Sequence, residues 1–276
     1  MIVAAAICPS PPLLVSELTG QADILPELRA ASAAAVTRLL AAAPDVVAVV
    51  GPAETTGPWD PAGELSLASF APALRRHSSQ SDNSKRRNAA LLTTAPSAAG
   101  PSAAGPPAAA PLLPLALGIG ARLLDQVGYT GPRTFHGIGE DEPAAACLAM
   151  GRELASSAPR VALLAVGDGS ARRSAAAPGY LDERAGPFDE AVERAVRDGD
   201  LPAIAALDPA LATDLLAAGR PAWQTLAGAL SASHAPEAAA ASHAADHHSA
   251  AARLQTEILY SDAPLGVAYL VATFIP

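Results

Sequence analysis

Residues 160–191 read RVALLAVGDGSARRSAAAPGYLDERAGPFDEA, and this stretch decides the fold. It opens on Val161-Ala162-Leu163-Leu164-Ala165-Val166, an unbroken apolar run that suits a strand buried on both faces of a sheet. Gly167-Asp168-Gly169-Ser170 follows, where two glycines permit a tight turn and leave small polar groups at the strand's carboxyl end. In open α/β sheets that end is where ligands sit. Pro178-Gly179 marks another turn, and Phe188-Asp189 leads into a helix carrying Ala191, Val192, Ala195 and Val196.

Upstream, Ile2 to Ile7 repeats the buried-strand pattern and stops at Cys8-Pro9-Ser10-Pro11-Pro12, where prolines remove backbone donors and stiffen the loop. Pro26 to Ala43 reads as an amphipathic helix with Leu28, Ala31, Ala35, Val36 and Leu39 on one face. Asp45 to Val50 is a second buried strand, ending in Gly51-Pro52-Ala53-Glu54-Thr55-Thr56-Gly57. Strand, helix, strand predicts a βαβ unit and a parallel sheet. Leu112 to Val127 reads as a helix, Arg133 to Ile138 as a strand, and Pro143 to Ser156 as a helix started by Glu140-Asp141-Glu142, whose charge complements the dipole.

Downstream, Leu201 to Ala218 divides into two short helices at Asp208-Pro209, with Asp208 as N-cap. Gly219-Arg220-Pro221 reads as a turn and Trp223 to Leu230 as a helix. Leu254 to Tyr260 and Gly266 to Phe274 form an antiparallel hairpin. The predicted fold is α/β: one domain over residues 1–276, with a central mixed, mostly parallel sheet and helices on both faces. Residues 77–111 and 232–252 are low-complexity insertions, too poor in large apolar groups to offset the entropy of ordering them.

The formal charge of −9 disfavours nonspecific binding to nucleic acid or anionic membrane. No segment offers the roughly 20 apolar residues of a membrane helix. Cys8 and Cys147 are too few for a disulfide framework, which points to reduced thiols and a cytoplasmic protein.

His243 and His247 share a helix face at the spacing of a zinc pair, yet Ala244 stands where the metalloprotease motif needs Glu. Only Asp246 or His248 offers a third ligand nearby, so the stretch 234–248 stays open between a metal site and a solvated segment. Lys85-Arg86-Arg87 reads either as a phosphate contact or as a solvated loop. Gly118 with Gly120, and Gly167 with Gly169, do not complete a dinucleotide fingerprint. Cys8 at a strand end would need a histidine to activate it, and the neighbouring strand-end loops supply none.

Four motifs in order, Cys8-Pro9-Ser10-Pro11-Pro12-Leu13-Leu14, Val50-Gly51-Pro52-Ala53, Gly167-Asp168-Gly169-Ser170-Ala171-Arg172 and Ala218-Gly219-Arg220-Pro221, carry a resemblance. Together with Ala177-Pro178-Gly179-Tyr180-Leu181-Asp182, the chain resembles the class III extradiol ring-cleavage dioxygenases of LigB type and their Memo relatives. The pattern is most like an actinobacterial LigB-like subgroup of undetermined activity. The resemblance implies ferrous iron held by two histidines and a carboxylate, with a further histidine as acid–base. At the matching positions this chain has Ser10 and Ala53 for the two histidine ligands, Ala171 for the catalytic histidine, and Ala218, with Gln224 near it, for the last ligand. What it implies is a homologue that has lost its iron and kept a pocket, a small-molecule-binding or scaffold protein with no cofactor expected. The family's habit of pairing subunits implies a homodimer. The other reading is an active ring-cleaving oxygenase with displaced ligands, drawn from Cys8, Glu54 and Asp168.

Ser10, Glu54, Asp168, Ser170 and Arg220 are expected to converge at one sheet edge, because their loops all follow elements that end there, with Cys8 and Arg172 lining the same pocket. Arg172 and Arg173 are the nearest cations, which points to an anionic small molecule, and the resemblance implies an aromatic one. The alternative is that these arginines pair with Asp182 and Glu183 on the surface.

Overall fold

The computed structural model describes residues 1–19, 24–66, 111–241 and 254–276. The basic run at 85–87 and the histidines at 243, 247 and 248 lie outside them. The strands are β1 (Ile2–Cys8), β2 (Val46–Pro52), β3 (Gly57–Trp59), β4 (Glu64–Leu65), β5 (Leu112–Leu113), β6 (Arg133–Ile138), β7 (Val161–Val166), β8 (Gln255–Asp262) and β9 (Tyr269–Ile275). The helices are α1 (Ser16–Thr19), α2 (Pro26–Ala41), α3 (Leu115–Gln126), α4 (Ala144–Ala155), α5 (Ala185–Asp198), α6 (Leu201–Ala205), α7 (Pro209–Asp214) and α8 (Arg220–Ala241).

Seven strands form one sheet in the order β3-β6-β2-β7-β1-β9-β8, and β4 pairs with β5 in a separate ribbon. The inner four, β6, β2, β7 and β1, are parallel, while β3, β9 and β8 run antiparallel to their neighbours. The carboxyl ends of the inner four therefore emerge together: Cys8 lies opposite Val166, and Gly51 opposite Gly137. The α/β architecture, mixed and mostly parallel with helices on both faces, is as the sequence predicts.

Every residue of β7 is buried, which is why its sequence is apolar without alternation. Its side chains still alternate between two cores. Leu163 and Ala165 join Cys147, Phe188, Val192, Trp223 and Leu226 on the face covered by α4, α5 and α8. Leu164 and Val166 join Leu28, Val36, Leu117 and Leu124 on the face covered by α2 and α3. On the first face α4 and α8 touch main chain to main chain. A Cβ on Gly151 would lie 2.0 Å from the Thr225 carbonyl oxygen, and one on Gly228 would lie 2.4 Å from that of Leu148.

Several boundaries differ from the sequence reading. Gly219-Arg220-Pro221 is not a separate turn: α8 begins at Arg220 and runs 22 residues, into the stretch read as an insertion. A proline in the first helical turn costs no hydrogen bond, so it opens the helix here. Helix α5 begins at Ala185, before Phe188. Residues 140–142 precede α4 without entering its first turn, which holds no acidic residue, so the expected dipole complement is absent there. Leu112 and Leu113 form β5 rather than the start of α3, and β3 was not foreseen. Asp208 does cap α7, its Oδ1 accepting from the Ala210 amide at 2.9 Å. The edge strand β8 carries a register shift between Ile258 and Tyr260, a bulge of the kind that hinders edge-to-edge pairing. No helix among the described residues is long and apolar enough to cross a membrane.

Candidate functional site

The loops leaving β1 and β7 are joined at the carboxyl edge. The Ser10 amide donates to Asp168 Oδ1 at 2.6 Å, and the Gly219 amide, just before α8, donates to the Asp168 carbonyl oxygen at 2.8 Å. Gly167 is required at this junction, since a Cβ there would lie 2.6 Å from the Gly219 Cα. Asp168 keeps some exposed surface, but its carboxyl is enclosed. Burial raises that carboxyl from 3.8 to about 6, against the opposing pull of hydrogen bonds from the Ser10 amide and hydroxyl. Tyr269 begins β9 beside it. Its phenol is pushed up first by burial, then by the charge of Asp168 and by Tyr260.

Ser170 is fully buried and turned away from this junction. Its hydroxyl donates to Asp189 Oδ2 at 2.5 Å and its amide to Asp189 Oδ1 at 2.9 Å. Arg173 meets the same carboxylate at 3.2 Å. The sequence sets Arg173 either toward the pocket or against Asp182 and Glu183. The partner is instead Asp189, one turn into α5. Arg172 donates to the Gly179 carbonyl at 2.6 Å, and its Nε is buried without a partner among the described residues. Asp182 is taken by Arg184, which also pairs with Asp214.

Cys8 is buried in the core on the α2 side, and desolvation pushes its thiol up to about 12, with Ser32 beside it opposing the shift. It does not face the edge. Glu54 is exposed. Ala53 lies in the loop after β2, its amide bonded to the Ile138 carbonyl, and Ala171 bonds to the Leu215 carbonyl. Cys8, Glu54 and Asp168 do not assemble as ligands. Among the described residues no three His, Cys, Asp or Glu side chains come together as metal ligands.

Arg220 is 1% exposed. Its guanidinium donates to the carbonyls of Glu142 at 2.6 Å and Glu140, and to Gln224 Oε1 at 3.0 Å. Gln224 in turn donates to the carbonyls of Ala205 and Leu207. This chain of bonds ties the loop after β6 and the end of α6 to the first turns of α8. Beside it lies a cavity of about 110 Å³, bounded by Glu140, Ala212, Thr213, Leu216, Ala218 and Arg220. Leu216 is 47% exposed with φ of 56°. Sequence reasoning placed Arg220 and Ala218 at this edge and missed Thr213 and Leu216. The Trp223 indole lies against Gly219, and its Nε1 is buried without a partner among the described residues.

No protein-family model and no curated protein matches the chain. Among solved structures it is similar to the uncharacterized protein JW3007 from Escherichia coli K12. The two are 17% identical, with 99% of this chain and 100% of that one covered and a TM-score of 0.50. At that identity the likeness shows a shared fold and nothing of activity.

Proposed function

We propose that this chain is a LigB-like relative of the extradiol dioxygenases that has lost its iron site and acts by binding a small molecule at the carboxyl edge of its sheet. The observation that supports the reading is the donor set there. Ferrous iron needs several nitrogen and oxygen ligands acting together. Ser10, Ala53, Ala171 and Ala218 occupy the positions that match the family's iron ligands and base, and alanine supplies no ligand at all. Asp168 is already bonded to Ser10, and Asp189 to Ser170 and Arg173. These residues do not fit iron. They do leave a cavity against Ala218, walled on one side by a buried cation.

The test is metal analysis of protein purified without a histidine tag, combined with an aerobic catechol assay. The expected result is far less than one iron per chain and no yellow ring-opened product. Stoichiometric iron that survives a weak chelator, together with ring cleavage, would overturn the reading in favour of a displaced metal site.

A further inference from the structure

We propose that the first turn of α8 and the adjoining cavity bind a small monocarboxylate with a short apolar body; this names the ligand class for the binding site just described and rests on that reading. Two observations converge on it. Arg220 is a buried cation whose three hydrogen-bond partners among the described residues are two main-chain carbonyls and an amide oxygen, so none of them cancels its charge. A buried charge without a counter-ion is costly, and a ligand anion relieves that cost. Second, α8 is 22 residues long, and its N-terminus adds a positive partial charge at the same place.

The rest of the lining sets the body of the ligand. Ala212, Leu216 and Ala218 make most of the wall apolar. A volume near 110 Å³ is smaller than the ~150 Å³ that accepts a benzene ring, and suits an aliphatic chain of about three or four carbons. Glu140, exposed at the mouth, repels a second negative charge, which favours a monoanion over phosphate or a dicarboxylate.

The experiment is calorimetric titration of the full chain with butyrate at constant ionic strength, with succinate and butylamine as comparators and iron measured in the same sample. Butyrate should bind at one saturable site, succinate more weakly, and butylamine not at all. Ala218→Leu fills the cavity and should abolish saturable binding. Thr213 is exposed, so its replacement leaves folding intact: Thr213→Glu should weaken butyrate about threefold and Thr213→Lys strengthen it by a similar factor. Flat butyrate titrations in iron-free protein overturn the carboxylate site alone. So does equal binding of butyrate and butylamine, or indifference to charge at 213. Stoichiometric iron overturns the reading beneath it, whatever the titration gives.

Discussion

Two polar clusters sit at the same sheet edge, and they are built on opposite principles. After β7, the Asp189 carboxylate collects the Ser170 amide, the Ser170 hydroxyl and the Arg173 guanidinium, so charge and hydrogen-bonding capacity close on themselves. At the start of α8, Arg220 and Trp223 bring donors without bringing an anion. The first cluster is a fastening between loop and helix. The second is satisfied only in part, and a partly satisfied buried cluster is where a ligand gains most. Abundance of polar groups does not mark a site; an imbalance between them does.

The comparison breaks most visibly at Asp189. Asp189→Ala strands the buried Ser170 amide and hydroxyl, while Arg173, about a third exposed, regains water; the change should cost about 3 kcal/mol in urea-induced unfolding. Arg220→Met removes a charge that had no counter-ion to strand, so its cost should be smaller, about 2 kcal/mol, from lost bonds to carbonyls. A larger loss for Arg220→Met than for Asp189→Ala would reverse the contrast.

Asp168 sharpens it in a second way. Its folded pKa of about 6 lies above the ordinary 3.8, so the native state keeps its proton at higher pH than the unfolded chain. The stability this contributes is full below about pH 4 and lost as pH rises through about 6. Asp168→Asn keeps an oxygen for Ser10 and removes the charge. It should stabilise the protein at pH 7.5 by on the order of 2 kcal/mol and flatten stability between pH 4 and 6. An unchanged pH slope would show that another group carries it.

The smallest expected effect is at Tyr180, which is 74% exposed with φ of 60°. Tyr180→Gly relieves a left-handed backbone but frees the unfolded chain, and the two should cancel to within about 0.5 kcal/mol of unfolding free energy. A loss several times that size would show that the phenol packs.

The buried strands were legible because a doubly covered strand has only one composition open to it, as β7 and β1 show. The joining of Ser10 to Asp168 was legible because both follow parallel strands. The partner of Arg173 was not, since Asp189 reaches it only through the packing of α5 against the loop. Arg220 was read as part of a turn because glycine and proline flank it, and a helix start looks the same as a turn over three residues. The asymmetry of the donors around α8 was hidden for a deeper reason: sequence shows which groups are present and never which remain unmet.

The glycine contacts between α4 and α8 carry a mechanical consequence. With main chain against main chain at Gly151 and Gly228, the two helices have no side-chain cushion along which to slide. Arg220 clamps the segment entering α4 to the head of α8. The cavity wall bearing Glu140 and the one bearing Arg220 are thus two faces of a single stiff body, and its aperture cannot widen by parting them. Admission to the cavity falls to the opposite wall, where Leu216 stands in a left-handed backbone at the end of a six-residue helix. The short helix bounds the yielding side of this chamber, and the long pair its fixed side.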